Sequence, residues 1–289
     1  MQIEVIIEKK SHKLDAEEGK TILETLQEHG IHVLTAPCGG RGRCGKCTVE
    51  VEHMGEVLAC MTKVTDGMRI TIPKVQLRAQ KSKIAENGTV THYPADDGEG
   101  LDAACDIGTT TVVCHLIDGK TGEKLATVSE PSAQRSFGAD VLSRIQAAEA
   151  GKLEILKEQI IFQIAQMLRT LQKKTGRGEQ IQRLAVVGNT VMCHLFAGIS
   201  PVSIGVTPFM PQEFFGKEYT GEQLGLTDCR SVYIAPAVAG FVGGDITSDL
   251  LAVMQKKPKD KVLLLDIGTN GEMAVGNEDQ IYCCATAVG

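Results

Sequence analysis

The sequence predicts an α+β chain of more than one domain, and three observations predict it. Residues 1–78 hold short runs that alternate apolar and polar at period two, around one short helical stretch and a loop with three cysteines in ten residues. From residue 101 onward, buried-strand runs of four to eight residues alternate with helical stretches. The tetrapeptide Asp-Ile-Gly-Thr occurs at 106–109 and again at 266–269, each time between two strand-like runs, which marks an internal repeat in the larger part. A length of 289 residues suits about two domains, and an apolar content of 43% can fill their cores.

Taken in order, Ile3, Val5 and Ile7 place one face of a first strand inward, and Ser11 to Glu17 is its hairpin partner. Thr21-Ile-Leu-Glu24 has the form of a capping box, so a helix begins there; Ile22, Leu23 and Leu26 give its apolar stripe and Gly30 its stop. Then comes Cys38-Gly-Gly-Arg-Gly-Arg-Cys44-Gly-Lys-Cys47, with Cys60 thirteen residues further on. Structural zinc takes its ligands as two separated C-x2-4-C pairs. Here three ride on one loop as C-x5-C-x2-C, one residue longer than the plant-type [2Fe–2S] spacing C-x4-C-x2-C. The spacing favours a [2Fe–2S] cluster on Cys38, Cys44, Cys47 and Cys60, with zinc, or unliganded or disulfide cysteines, as the alternatives. Four glycines in the loop supply positive φ and let backbone N–H groups approach sulfur. Thr48 to Glu52 alternates again, Gly55 turns the chain, Val57 to Cys60 delivers the last ligand, and Met68 to Ile72 is a closing strand.

This ββαββ order around a cluster loop resembles the β-grasp ferredoxin over residues 1–78. Only 12 residues separate Cys47 from Cys60, fewer than in plant-type ferredoxins, which predicts a more exposed second cluster edge. Residues 79–100 read as a linker, with at most a short helix around Val75 to Ile84.

A buried strand through Ala103 to Asp106, a tight turn, a second strand to Ile117 and a third over Lys124 to Ser129 form a meander. Two helices follow, Gly138 to Ala150 and Lys152 to Lys174, broken near Gly151; in the second, Leu153, Leu156, Ile160, Ile164, Met167 and Leu171 make a stripe that lies on a sheet. Leu184 to Val187 is a strand leading through Gly188-Asn-Thr190 into a helix, and Val232 to Ala235 repeats the arrangement through Gly240, Gly243, Gly244 and Asp245. Lys261 to Glu272 then returns to strand, Asp-Ile-Gly-Thr turn and strand.

An Asp at a strand end followed by Gly and Thr has a chemical use. Gly lets backbone N–H groups reach a phosphate, Thr hydroxyls donate to it, and the carboxylate holds Mg2+ directly or through water. One such turn is also an ordinary turn, but two in equivalent positions can grip one nucleotide from both sides. This part resembles the actin, sugar-kinase and Hsp70 superfamily, an α/β ribonuclease-H-like fold whose second repeat is incomplete here. The resemblance implies Asp106 and Asp266 as catalytic metal and water positioners. It implies Gly108, Thr109, Thr110, Gly268, Thr269 and Asn270 as the binders of ATP with Mg2+, and the glycines near Asp245 as the floor of the cleft.

Cluster loop and phosphate turns together, with Phe137 to Ile145, Val187 to Pro201 and Ala239 to Asp245, resemble the reductive activators of corrinoid enzymes over nearly the whole chain. That resemblance implies an ATP-dependent reductive activase whose [2Fe–2S] centre passes one electron to a corrinoid protein, Co(II) to Co(I). The implied partners are a corrinoid protein or corrinoid-dependent methyltransferase and an upstream electron donor, with a homodimer left open. It also implies a middle domain over 101–180 and an actin-like C-terminal domain from 181. The latter stops at Gly289 just past its first hairpin, so cluster binding is expected to survive while ATPase activity and ATP affinity of this stretch are weak or undetectable. The competing readings are an activator of the 2-hydroxyacyl-CoA dehydratase kind, or a [2Fe–2S] electron-transfer or redox-sensing module without ATP chemistry.

A net charge of −6 without a basic cluster argues against nucleic acid. Charge within the first four residues and the lack of an apolar run of ~18 argue against a secretory leader or a membrane span, and point to the cytoplasm. The six cysteines other than Cys38, Cys44, Cys47 and Cys60, with His115 and His194, read as core or surface residues.

Overall fold

The computed structural model describes all residues except 32, 35, 37, 74–97, 257, 259 and 287–289. The expected helix near 75–84 and all but the last three residues of the expected linker lie outside the described residues. The described residues of Met1–Lys83 and Ala133–Ala147 form one compact unit, and those of Ile84–Ser132 and Ala148–Gly289 the other.

In the first unit, β1 (Gln2–Ile7) and β2 (Lys10–Asp15) are an antiparallel hairpin. Helix α1 (Ile22–Glu28) follows, then β3 (Thr48–Val51), β4 (Gly55–Leu58) and β5 (Arg69–Thr71). The sheet order is β2-β1-β5-β3-β4, with β5 inserted parallel to β1, as in a β-grasp. The capping box forms: the Glu24 N–H donates to Thr21 Oγ1 at 3.2 Å, and the Thr21 N–H to Glu24 Oε2 at 2.9 Å. Ile22 and Leu26 of α1 and Val5, Val49 and Ile70 of the sheet are fully buried together. Helix α2 (Val141–Ala147) completes this unit.

The second unit carries a six-stranded sheet, β10-β11-β9-β6-β7-β8. Strands β6 (Leu101–Ile107), β7 (Thr111–Asp118) and β8 (Lys124–Pro131) are the expected antiparallel meander. Parallel to β6 lies β9 (Ile181–Val187), parallel to that β11 (Cys229–Ile234), and at the edge the antiparallel β10 (Lys217–Thr220). The domain border expected at residues 180/181 is corrected by this pairing. Residues 101–107 and 181–187 share a ladder in one sheet, so separating them would break its centre.

Helix α3 (Leu153–Thr175) lies against β7 and β8 and buries Leu156, Ile160, Ile164, Met167 and Leu171, on the order of 1.5–3 kcal/mol each before chain entropy is counted. Gly151, at φ 85°, breaks it from α2 where the sequence placed the break. Helix α4 (Thr190–Ala197) starts at the end of β9, a helical turn α5 spans Gly221–Leu224, and α6 (Gly244–Met254) follows β11. Strands β12 (Val262–Ile267), β13 (Gly271–Gly276) and β14 (Ile281–Thr286) form a second antiparallel meander, one strand beyond the expected hairpin. Val242 and Ile246 pack with Ala274 beneath it. Among the described residues no helix is long and apolar enough to cross a membrane.

Candidate functional site

The thiolate loop runs from α1 to β3. Gly39, Gly40, Gly42 and Gly45 all have φ between 64° and 82°, the left-handed region that wraps the loop without a Cβ penalty. The thiols approach in two pairs. Cys38 and Cys44 are half-buried with sulfurs 3.2 Å apart. Cys47, at the mouth of β3, and Cys60, after β4, are buried in the core and interact with each other. This reverses the expectation of an exposed second edge. Helix α1 donates the Leu23 N–H to Ala59 O at 3.0 Å and so covers the short Cys47–Cys60 connection, leaving the Cys38 side nearer solvent.

Backbone N–H groups reach the sulfurs. Burial raises the Cys38 thiol, but the Cys44 thiol and the N–H groups of Cys44, Arg43 and Arg41 outweigh it and bring Cys38 down to about 6. Burial first, then Cys47, pushes Cys60 up to about 12 against the Gly42 N–H. Two thiol pairs fed by backbone donors suit two irons bridged by sulfide, which take four thiolates in all. Among the described residues, no three His, Cys, Asp or Glu side chains are grouped as ligands of a single ion.

The second constellation lies wholly in the second unit. Asp106 is the penultimate residue of β6, and Asp266 that of β12. Their turns meet: Thr110 Oγ1 and Thr269 Oγ1 are 2.5 Å apart. In the first turn Gly108 has no room for a Cβ, which would stand 2.6 Å from Thr111 O. In the second, the Gly268 N–H donates to Asn270 O at 2.9 Å. Thr109 is buried and accepts from Asn189 Nδ2 at 2.9 Å, while Asn189 Oδ1 caps α4 by accepting the Met192 N–H at 3.0 Å. At Gly243 a Cβ would stand 2.5 Å from the Thr190 nitrogen, so the starts of α4 and α6 converge only because that residue is glycine.

Into this space come five carboxylates. Burial and the charges of Asp245, Asp266 and Asp249 raise Asp106 to about 7. Burial and Asp266 raise Asp245 to about 6, although its own Oδ1 accepts the Ile246 N–H. Burial with Asp245 and Asp266 raises Glu272 to about 7, and burial with Asp266 raises Asp249. Among the described residues none of the five is ion-paired. Such a group is electrostatically incomplete, and a divalent cation would relieve it.

All eight nucleotide-site candidates thus fall on two adjoining turns, and Asp245, Asp249, Glu272 and Asn189, which the sequence did not single out as candidates, stand beside them. The signal for Asp245 was present in the Gly-Gly-Asp helix start, and that for Glu272 in the extended Asp-Ile-Gly-Thr-Asn-Gly-Glu. His115 meets Thr127 Oγ1 at 2.8 Å, and His194 Nδ1 meets Thr190 O at 2.7 Å, so both are satisfied in place.

Fold and sites together define an iron–sulfur domain of ferredoxin type joined to an actin-like nucleotide fold. The comparisons with known proteins agree in order. Residues 4–74 match the 2Fe-2S iron-sulfur cluster binding domain, 101–257 the RACo middle region, and 260–289 the C-terminal domain of RACo, the ASKHA domain. The chain belongs to the RACo family. It is 29% identical to the corrinoid activation enzyme RamQ of Eubacterium limosum, over 89% of this chain and 56% of that protein. It is 28% identical to the [Co(II) methylated amine-specific corrinoid protein] reductase of Methanosarcina barkeri, over 64% of this chain and 36% of that one. The solved structure of a reductive activator for a corrinoid, iron-sulfur protein superposes with a TM-score of 0.63 at 26% identity, covering 99% of this chain and 63% of that one. The chain therefore spans somewhat over half the length of RamQ and of the solved activator.

Proposed function

We propose that the whole protein reactivates a corrinoid protein by reducing its cobalt from Co(II) to Co(I) in an ATP-dependent manner. Cys38, Cys44, Cys47 and Cys60 would hold a [2Fe–2S] cluster, which when bound would supply a single electron drawn from an upstream donor. The glycine loop carries three of the four sulfurs and aims backbone N–H groups at Cys38, which favours its thiolate, while the Gly42 N–H reaches Cys60. Exposed Arg41 and Arg43 stand on the same loop, where an acidic face of the partner would meet them.

Asp106 and Asp266 would hold Mg2+ directly or through water, and Asp245, Asp249 and Glu272 add negative charge around it. Gly108, Thr109, Thr110, Gly268, Thr269 and Asn270 offer N–H and hydroxyl groups to the phosphates. The observation that carries this reading is the meeting of the two Asp-Ile-Gly-Thr turns at Thr110 and Thr269, in a chain that also holds a three-thiol loop with a fourth thiol at Cys60. The names of the relatives, which act on corrinoid proteins, supply the acceptor.

The test offers the reduced protein two acceptors, a Co(II) corrinoid protein and a small soluble dye, each with and without MgATP. The expected outcome is dye reduction in both conditions and corrinoid reduction only with MgATP. Nucleotide-independent transfer to both acceptors would leave a general electron carrier instead.

A further inference from the structure

The stretch Phe137 to Ile145 has no part in either constellation as described, yet it packs against the thiolate loop. Residues 133–147 lie in the region matched at 101–257, but they belong to the first compact unit. Within that unit Gln27, a buried polar side chain on α1, donates Nε2 to the Ser136 carbonyl at 2.9 Å across 109 residues of sequence. A Cβ on Gly39, next to Cys38, would stand 3.2 Å from the Phe137 carbonyl oxygen. Gln134, Ser136 and Phe137 are all buried. The turn is itself pinned: the Phe137 N–H donates to Gln134 O at 2.9 Å, and fully buried Arg144 donates Nε to Gly138 O and Nη1 to Gln134 Oε1, both at 3.3 Å. Asp140 accepts from the Ser143 N–H and hydroxyl at 2.7 and 2.9 Å, which sets the start of α2 beneath it.

We propose that residues 134–138 are a strap that positions the Cys38–Gly39 end of the thiolate loop, with Gln27 as the positioning residue that fastens it. The inference rests on the four cysteines holding the cluster. Cys47 and Cys60 are fixed by the core of the unit, whereas Cys38 is half-buried and its neighbour Gly39 abuts the strap, so this end of the loop depends on a wall from outside the ferredoxin sequence. The strap also continues in one backbone from Ser132, whose N–H donates to Thr110 O at 2.9 Å in the first Asp-Ile-Gly-Thr-Thr turn.

The test compares the intact protein with Gln27→Met, which keeps the volume and removes the donor, and with Thr21→Ala, which weakens the same helix at its cap without touching Ser136. A chelator draws out the iron while the visible absorption is followed, and the electron paramagnetic resonance of each reduced protein is recorded. Gln27→Met is expected to lose iron on the order of tenfold faster than wild type, as outer-shell changes at metal sites do, and to shift its resonance. Thr21→Ala keeps the wild-type signal. Equal rates and spectra in Gln27→Met and wild type, or the same changes in Thr21→Ala, would overturn the strap. A colourless wild-type protein would instead defeat the cluster reading itself. Should Gln27→Met not fold, deuterium exchange on the wild type decides. Residues 38–40 and 134–138 are expected to lose protection together when iron is removed, and loss confined to 38–40 would overturn the strap.

Discussion

At the scale of single residues, the proposed cluster ligands are Cys38, Cys44, Cys47 and Cys60. The purified protein is expected to be red-brown with about two irons and two sulfides per chain, and Cys44→Ser to remove the visible absorption. A colourless protein holding one zinc would contradict this. The five carboxylates give a pH dependence whose sign follows from their direction. Asp106, Asp245 and Glu272 are raised to about 7, 6 and 7, so between pH 4 and 7 the folded state binds more protons than the unfolded one. Stability without a cation therefore falls as pH rises through that window. Thermal melts are expected to show this fall, its reversal by Mg2+ most strongly near pH 7.5, and its reduction in Asp106→Asn. The 2Fe-2S domain matched at residues 4–74 was legible in the sequence because its cysteine spacing is local. Asp245, Asp249 and Glu272 were not, because only the tertiary approach of α6 and β13 to the two turns gives their charges a common space.

At the scale of elements, each strand and helix with a clear period was read where it stands. The capping box at Thr21 and the break at Gly151 were written in residue types that have few other uses. Edge strand β10 was missed because four residues, Lys217–Thr220, carry no alternation that outweighs a loop. The border near 180 failed for a related reason, since a parallel pair such as β6 and β9 leaves no local sign of the partner. The convergence of α4 and α6 turns on Gly243. Gly243→Ala is expected to cost about 1–3 kcal/mol in denaturant unfolding, because the new methyl would meet backbone atoms of Asn189 and Thr190 that cannot yield. Gly178→Ala, with open space around it and no positive φ, is expected to be neutral or slightly stabilising. Equal losses in both would mean that the close approach is not what glycine provides.

At the scale of the whole molecule, the question is what ATP changes. A plant-type [2Fe–2S] centre lies near −400 mV, and Co(I) is a strongly reducing product, so transfer runs uphill unless the product state is trapped. Inverting a 1:99 population takes about 5.5 kcal/mol, which corresponds to roughly 240 mV at ~59 mV per tenfold for one electron. Nucleotide binding between two turns that already touch can bias conformation on that scale. ATP is therefore expected to leave the cluster potential nearly unchanged in a redox titration without partner. A fall of hundreds of millivolts would mean that the cluster itself is tuned.

The central claim is that electron transfer from this cluster to a corrinoid depends on nucleotide held by the paired turns. Its most direct measurement mixes pre-reduced protein anaerobically with a Co(II) corrinoid protein and follows Co(I) and oxidised cluster together in one turnover, with and without MgATP. The account predicts about one Co(I) per cluster oxidised with MgATP, as a one-electron donor requires, and almost none without it or in Asp266→Asn. Equal Co(I) formation without nucleotide, or cluster oxidation that yields no Co(I), would contradict it.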